Sequence, residues 1–267
     1  KGRPGNNPLI VHLENAAQAT EWASVVPTAA KELMAACWPG PLTLVLPARD
    51  EVSRLVTAGQ DSVALRVPAH PTARALLSAF GGALVAPSAN RYMSISPTCA
   101  AHVAQQFAGS DLLILDGGSC QVGLESTIVS VLPGDRPRLL RTGMLGQSAL
   151  EAVLGQPLAD RDGGPRAPGQ HHRHYAPTTT TLTFRETPTE ALGSADSGWL
   201  WCTNAQPTHG PALDLGADPH VYAANLYAAL YELDALDLRR LYIQLPPSDA
   251  AWAAVHDRLA RASQRLN

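Results

Sequence analysis

A stretch rich in glycine and proline divides this sequence into two parts and constrains its fold more than any other feature. Residues 155–180 contain Gly155, Pro157, Gly163, Gly164, Pro165, Pro168, Gly169 and Pro177. So many breakers exclude a regular helix or strand, and a loop of this length is uncommon inside one compact domain. We therefore predict a first domain over residues 1–155, a linker over 156–178 and a second domain over 179–267.

Short apolar runs alternate with helical patterns on both sides of this linker. Before it, they predict strands over residues 8–13, 42–46, 62–67, 83–86, 112–115, 126–132 and 138–140. They also predict helices over 14–36 with a break at Pro27, over 71–81, and over 98–107 with Thr98 as N-cap. After the linker, they predict strands over 179–184, 198–203 and 241–245 and helices over 221–236 and 250–265. This mixture predicts two α/β domains, the second with at least one parallel crossover.

Composition narrows the class of protein. The chain has 267 residues, of which 45% are apolar and 16% charged, as in globular proteins with a buried core. Its net charge of −3 argues against a protein whose main task is to bind a nucleic-acid backbone. No apolar run approaches the roughly 18 residues of a membrane span. The four cysteines form no Cys-x-x-Cys pair, which favours reduced thiols and a cytoplasmic location.

Two polar segments before the linker can bind an anionic ligand. Lys1 and Arg3 precede the first predicted strand and can converge on a polyphosphate, with a solvated basic loop as the alternative. Residues 86–90, Ala-Pro-Ser-Ala-Asn, end another predicted strand, and residues 96–98, Ser-Pro-Thr, lead into a helix. Ligands of open α/β sheets bind outside strand ends, and helix N-termini accept anions. A turn followed by an ordinary capped helix is the alternative there.

Three more segments carry candidate ligand-binding groups. Residues 125–127 supply a carboxylate and two hydroxyls, and Arg141 ends a predicted strand where it can meet a phosphate. Turn chemistry and a surface ion pair are the alternatives. Residues 171–174, His-His-Arg-His, suggest a metal site, but no predicted helix holds the imidazoles on one face. We therefore predict no metal site, and expect Tyr175 to contact a ligand instead.

Taken together and in order, these segments resemble one family. The chain is similar to the long form of the YrdC-type threonylcarbamoyl-AMP synthases through eight ordered blocks: Lys-x-Arg-Pro-x-x-Asn-Pro-Leu-x-Val-His, Trp-Pro-Gly-Pro-Leu-Thr, Val-Ala-x-Arg-Val-Pro, Ala-Pro-Ser-Ala-Asn, Ser-Pro-Thr, Gly-Leu-Glu-Ser-Thr-Ile-Val, Leu-Arg-x-Gly and His-Tyr-Ala-Pro. The resemblance implies a twisted mixed-sheet domain with a deep positive cavity. It also implies a linker that covers the cavity mouth and a small Rossmann-like α/β domain.

The resemblance further implies an activity and a set of site residues. The family converts L-threonine, bicarbonate and ATP to threonylcarbamoyl-AMP and pyrophosphate, for threonylcarbamoyl-adenosine formation on tRNA. The residues expected around ATP are Arg3, Asn7, Ser62, Ser88, Ser96, Arg141 and Tyr175, and those around threonine are His12, Arg66, Ala86 and Ser126. The catalytic tetrad is expected to be Lys1, Arg3, Ser88 and Asn90. Magnesium is expected on ATP, and the tRNA threonylcarbamoyl-transfer machinery as a downstream partner, with no stable nucleic-acid complex and no membrane.

The sequence departs from the family in two places. The family's opening segment, Pro-Thr-x-Thr-x-Tyr-Gly-Leu, is not in this sequence, so an inactive truncated fragment is one alternative. Met93 stands where the family usually has glycine, so a positive φ there would strain the backbone.

Two alternative functions also remain. The His-Tyr-Ala-Pro linker argues against a carbamoyl-transfer enzyme with a YrdC-like domain, and the net charge argues against an RNA-binding module without catalysis.

Overall fold

The computed structural model describes residues 1–159, 163–169, 175–187, 195–202 and 209–265, with the side chain of residue 265 left out. The strands are β1 (Ile10–His12), β2 (Leu42–Pro47), β3 (Ser62–Arg66), β4 (Leu84–Val85), β5 (Thr127–Ser130), β6 (Arg138–Arg141), β7 (Thr180–Phe184), β8 (Ser197–Trp201), β9 (Ala212–Asp214), β10 (Arg240–Gln244) and β11 (Gln264–Arg265). The α-helices are α1 (Ala19–Trp22), α2 (Thr28–Cys37), α3 (Arg54–Thr57), α4 (Pro71–Phe80), α5 (Ala100–Gln106), α6 (Gln147–Leu154), α7 (Pro219–Asp234) and α8 (Ala253–Ala262).

The chain forms two compact units that are interleaved in sequence. The six-stranded unit comprises residues 2–88 and 125–170, and the five-stranded unit comprises Lys1 with residues 89–124 and 171–267. Each unit contains one β-sheet, and in both units helices alternate with the strands along the sequence. The predicted α/β fold class is confirmed, whereas the domain boundaries at residues 155 and 178 stay a prediction.

The sheet of the six-stranded unit has the order β4-β1-β3-β2-β5-β6 and is mixed. β1 pairs with β3 and β2 with β5 in parallel, and the other neighbours are antiparallel. One face carries the larger core, where Leu44 and Leu65 pack with Leu33 of α2. The opposite face carries a smaller cluster that includes Val45 and Ala64. Because a strand alternates its side chains between faces, polar residues on this second face are free to build a site.

The sheet of the five-stranded unit has the order β11-β7-β10-β8-β9, and all of its strands are parallel. Parallel strands need crossovers, and α7 and α8 connect β9 to β10 and β10 to β11. Asp218 caps α7 by accepting hydrogen bonds from the backbone N–H groups of His220 and Val221 at 2.9 Å. The predicted parallel crossover and the small Rossmann-like domain are confirmed in this sheet.

Several predicted elements differ from the structure. Residues 112–115 form no strand, and Leu113 is 83% exposed. An apolar run becomes a strand only beside a partner, and no neighbouring strand pairs with it among the described residues. Cys99, not Thr98, is the N-cap of α5, and the Thr98 hydroxyl contacts the ring of His102 at 3.3 Å instead. The patterns also missed the short elements α3, α6, β9 and β11.

Among the described residues, no helix is both long and apolar enough to cross a membrane. All four cysteines are free thiols, as expected from their spacing.

Candidate active site

His12 and Arg66 lie side by side on the sheet of the six-stranded unit. The parallel register of β1 and β3 pairs the two residues directly, so their side chains emerge on the same face. Arg66 donates from Nε to the carbonyl of Gly40 at 3.0 Å. Burial, and next the Arg66 guanidinium, lower the pKa of His12 to about 4, and the backbone of Ile10 and Leu84 acts weakly in the opposite direction. His12 is therefore neutral at pH 7, next to a permanent cation.

A buried hydroxyl and guanidinium cluster lies at the start of β5. Ser126 is 2% exposed, and its Oγ is 2.8 Å from Oγ1 of Thr43. Arg141 is 5% exposed and donates from Nη2 to Ser126 Oγ at 3.0 Å and from Nε to the Ser126 carbonyl at 2.9 Å. A buried guanidinium with several oxygen acceptors is fixed in orientation. The cluster thus presents hydroxyls and a cation together.

Part of the linker packs on this same unit. Arg141 donates from Nη1 to the carbonyl of Pro168 at 3.0 Å. The amide of Gln60 accepts from the backbone N–H of Arg166 at 2.7 Å and donates to its carbonyl at 3.1 Å. Ala167 is 5% exposed and belongs to the smaller apolar cluster with Ala64. Residues 166–168, within the predicted linker, therefore lie against the face of the sheet that carries His12 and Arg66.

The other candidate residues of this unit lie near the start of β1 or at strand ends. Arg3 donates from Nη1 and Nη2 to the carbonyls of Asn7 and Pro8, each at 2.6 Å. Asn7 is 6% exposed, and Ser62 at the start of β3 is 7% exposed. The backbone N–H of Ala86 donates to the carbonyl of Ile10 at 3.1 Å, which places the Ala86 backbone at the edge of β1. Ser88 is exposed at the end of this segment.

Lys1 and Asn90 meet in the five-stranded unit. Lys1 Nζ donates to the carbonyl of Asn90 and to its Oδ1, the latter at 3.1 Å. Asn90 is 1% exposed, and its amide donates to the carbonyl of Ser94 at 2.7 Å. Ser96 follows in the same loop and is 6% exposed. Two members of the expected tetrad are therefore in direct contact.

Met93 and Tyr175 adopt left-handed backbone conformations in this unit. Met93 has φ 70° and Tyr175 has φ 62°. Met93 therefore adopts a backbone torsion that a glycine would adopt without steric strain. The backbone N–H of Ala176 donates to the Met93 carbonyl at 3.1 Å, which ties the Tyr175 segment to the loop after Asn90. Tyr175 is 1% exposed.

Three contributing residues were not assigned from the sequence. Thr43 interrupts an otherwise apolar, buried strand, and that interruption was its signal. Arg258 interrupts the apolar stripe of α8 in the same way, whereas Gln60 carries no such signal, because its role depends on contacts distant in sequence. Residues 171–174, where imidazoles suggested a metal, lie outside the described part of the chain. Within the described part, no group of three His, Cys, Asp or Glu side chains is arranged to hold a metal ion.

Comparison with known proteins identifies the family. The Sua5/YciO/YrdC profile, described as telomere recombination, matches residues 1–143, and the profile of the threonylcarbamoyl-AMP synthase C-terminal domain matches residues 145–264. A threonylcarbamoyl-AMP synthase from Bacillus subtilis is 45% identical over 98% of this chain and 81% of its own length. The chain belongs to the threonylcarbamoyl-AMP synthase family.

Other members of the threonylcarbamoyl-AMP synthase family align with nearly the whole of this chain. The Schizosaccharomyces pombe enzyme is 33% identical over 98% of this chain and 78% of its own length. The crystal structure of Pyrococcus abyssi Sua5 complexed with L-threonine superimposes with a TM-score of 0.86 at 32% identity. That alignment covers 100% of this chain and 84% of the other. The family's fold is therefore shared across both sheets.

Proposed function

We propose that this chain converts L-threonine, bicarbonate and ATP to threonylcarbamoyl-AMP and pyrophosphate. The observation that carries the proposal is the similarity to a threonylcarbamoyl-AMP synthase over 98% of the chain. The paired His12 and Arg66 and the buried cluster of Ser126 and Arg141 give it local support. They offer an amino-acid site and an anion site within one unit.

Arg66 and Ser126 are proposed to orient threonine. Arg66 pairs with the threonine carboxylate, since guanidinium and carboxylate form the strongest ordinary ion pair. Ser126 and Thr43 supply hydroxyls, and Ala86 supplies backbone groups at the edge of β1. His12 stays neutral, so it can accept or donate a hydrogen bond without adding a second positive charge beside Arg66. The P. abyssi relative is known in complex with L-threonine, which supports an amino-acid site in this fold.

ATP is proposed to be held by cations, hydroxyls and amides. The residues assigned to it are Arg3, Asn7, Ser62, Ser88, Ser96, Arg141 and Tyr175, with Lys1 and Asn90 completing the tetrad. Magnesium is proposed to enter the site together with ATP, as is usual for nucleotide substrates. In the structure, Arg141 contacts the Pro168 carbonyl with one of its donors.

The proposed chemistry needs no protein nucleophile. The threonine nitrogen attacks the carbon of bicarbonate or carbon dioxide, and the bicarbonate route releases water as the carbamate forms. A carbamate oxygen then attacks the α-phosphorus, and the bond from that phosphorus to the bridging oxygen of pyrophosphate breaks. Positioning of the reactants and neutralisation of phosphate charge account for catalysis of this kind. Lys1 and Arg3 supply that charge.

The biological setting follows from the product. An acyl adenylate of this kind is labile, so a tRNA threonylcarbamoyl-transfer machinery takes it up in the cytoplasm. The first domain, residues 1–155, performs the chemistry, and the linker over 156–178 covers the active site. The packing of residues 166–168 on Gln60 and Arg141 supports this place for the linker.

The activity is tested by incubating the protein with L-threonine, bicarbonate and MgATP. We expect threonine-dependent pyrophosphate and the adduct by mass spectrometry. Arg66→Gln should raise KM for threonine about a hundredfold, because a hydrogen bond between charged groups is worth up to about 3 kcal/mol. Arg74→Gln, an exposed position on α4, serves as the matched control and should leave KM unchanged. Absence of product together with absence of ATP and threonine binding by calorimetry would refute the synthase.

A further inference from the structure

Arg258 occupies a position on α8 that the helix pattern reserves for an apolar side chain. The buried residues of α8 are Ala254, Val255, Arg258, Leu259 and Ala262, which form one stripe at helical spacing. Arg258 is 0% exposed. A guanidinium keeps its charge at any working pH, so its complete burial is costly unless specific partners surround it. The groups in contact with the Arg258 guanidinium therefore indicate its role.

Arg258 contacts an acid and an aromatic ring. Its Nη1 donates to Asp257 at 2.5 Å, and the same carboxylate accepts from Arg261 Nη2 at 3.0 Å. These three residues carry one negative and two positive charges. The guanidinium carbon of Arg258 lies 5.4 Å from the centre of the Tyr175 ring, within the range of a cation–π interaction. The guanidinium of Arg258 is thus in contact with the Asp257 carboxylate and with the ring of Tyr175.

Tyr175 is held at its backbone as well as at its ring. Its φ of 62° lies in the left-handed region, which a tyrosine adopts only when the surrounding contacts impose it. The ring of Tyr227 also packs against the ring of Tyr175, with centroids 5.7 Å apart. Ala176 is bonded to Met93 and forms a parallel bridge with Ser94, in the loop that also contains Asn90. Tyr175 therefore connects α8 to the loop that contacts Lys1.

We propose that Arg258 is a positioning residue for the nucleotide site. It fixes the ring of Tyr175, and through the segment around Ala176 it fixes the loop that carries Asn90. The five-stranded unit thereby holds Tyr175 and the loop that carries Asn90 in a fixed arrangement. This inference rests on the proposed function, because it assumes that Tyr175 and Asn90 face ATP.

The test compares Arg258→Met and Arg258→Lys with Arg261→Met. Methionine keeps length and removes charge, and Arg261 shares the carboxylate of Asp257 with Arg258. Arg258→Met should raise KM for ATP and the calorimetric Kd for ATP about thirtyfold, the scale of a desolvated cation–π contact. KM for threonine should change less than about twofold. Arg258→Lys should recover part of the loss, since lysine keeps the charge. Arg261→Met should leave both constants near their wild-type values.

A double-mutant cycle separates positioning from general stability. With Tyr175→Leu as background, Arg258→Met should add no further rise in KM for ATP, because the contact is already gone. A general structural role would instead give independent effects that multiply and would weaken both substrates. That outcome, or an unchanged KM for ATP in Arg258→Met, overturns the proposal. If Arg258→Met does not fold, Arg258→Lys in the wild-type and Tyr175→Leu backgrounds gives the same comparison.

Failure of the proposed function is recognisable separately. A wild-type protein that binds no ATP and makes no adduct refutes the synthase and this inference with it. An active wild-type protein in which Arg258→Met behaves like Arg261→Met refutes the positioning role alone.

Discussion

His12 is a histidine that the fold keeps uncharged. Its ring is largely buried, and its register partner on β3 is Arg66, a permanent cation. Both effects disfavour the protonated imidazole, and burial is the larger. Protonating His12 would place two positive charges side by side on one face of the sheet. The fold therefore favours a neutral imidazole at this position.

Acid should destabilise the protein through His12. The folded-state pKa is about 4 against 6.5 for the free side chain, so the unfolded chain binds more protons between these values. Stability that is fully present above pH 6.5 is lost as pH falls and reaches its full loss below pH 4, by about 3 kcal/mol. Urea unfolding at a series of pH values should show this component in wild type and not in His12→Gln. An identical pH profile for the two proteins would contradict it.

Sequence patterns predict some individual polar residues near strand ends, but they do not predict contacts between distant segments. The pair of Lys1 and Arg3 before the first strand predicts an anion site, whereas His12 is expected in the threonine site only through the resemblance to the family. Contacts distant in sequence carried no signal. Gln60 reaches Arg166, and Arg258 reaches Tyr175, through packing that no periodicity encodes.

Among the elements, α7 has an unusually close neighbour. Gly123 has φ 75°, and a Cβ placed there would lie 2.2 Å from the backbone oxygen of Ala223 in α7. Only glycine permits both the torsion and the approach. At Gly123 the segment before β5 thus packs directly against the backbone of α7.

Gly123→Ala should therefore unfold at a clearly lower temperature than wild type. We expect a loss of about 3 kcal/mol, combining the left-handed penalty with displacement of the α7 backbone. Gly118→Ala is the matched control, since Gly118 has φ 80° but no atom within 4 Å of an added Cβ. It should lose only about 1 kcal/mol. Equal losses in calorimetric unfolding would mean that the close approach to α7 has no cost.

Element prediction succeeded where a segment's own pattern decides its structure. α2, β2 and β3 have clear periodicity and strong local breakers, such as Pro27 before α2. The segment 112–115 has an equally apolar pattern but no strand beside it among the described residues, and its side chains are largely exposed. Strand formation depends on a partner, which a sequence window does not contain.

On the scale of the whole molecule, the two units do not follow sequence order. Residues 89–124 belong with residues 171–267, and contacts such as His102 stacked on Tyr231 at 3.9 Å hold them together. Tyr231 also donates its hydroxyl to the carbonyl of Ile95 at 2.9 Å. The sequence predicted two α/β domains from composition, but it contained no indication of this exchange.

Removing the C-terminal part should therefore affect α5 selectively. In a fragment of residues 1–155, we expect amide hydrogen exchange in α5 to become fast, whereas α2, within the other unit, keeps its protection. Exchange followed by mass spectrometry on fragment and full chain makes the comparison within one experiment. Protection of α5 that is equal in both proteins would contradict the expectation.

This interleaving sets an order of events during translation. Tyr231 leaves the ribosome roughly a hundred residues after Leu124. At about 5–20 residues per second, segment 89–124 waits on the order of ten seconds for the residues it packs against. During that interval the side chains of this segment that the fold buries, such as Ile95 and Leu124, face solvent, and a nascent-chain chaperone can bind there.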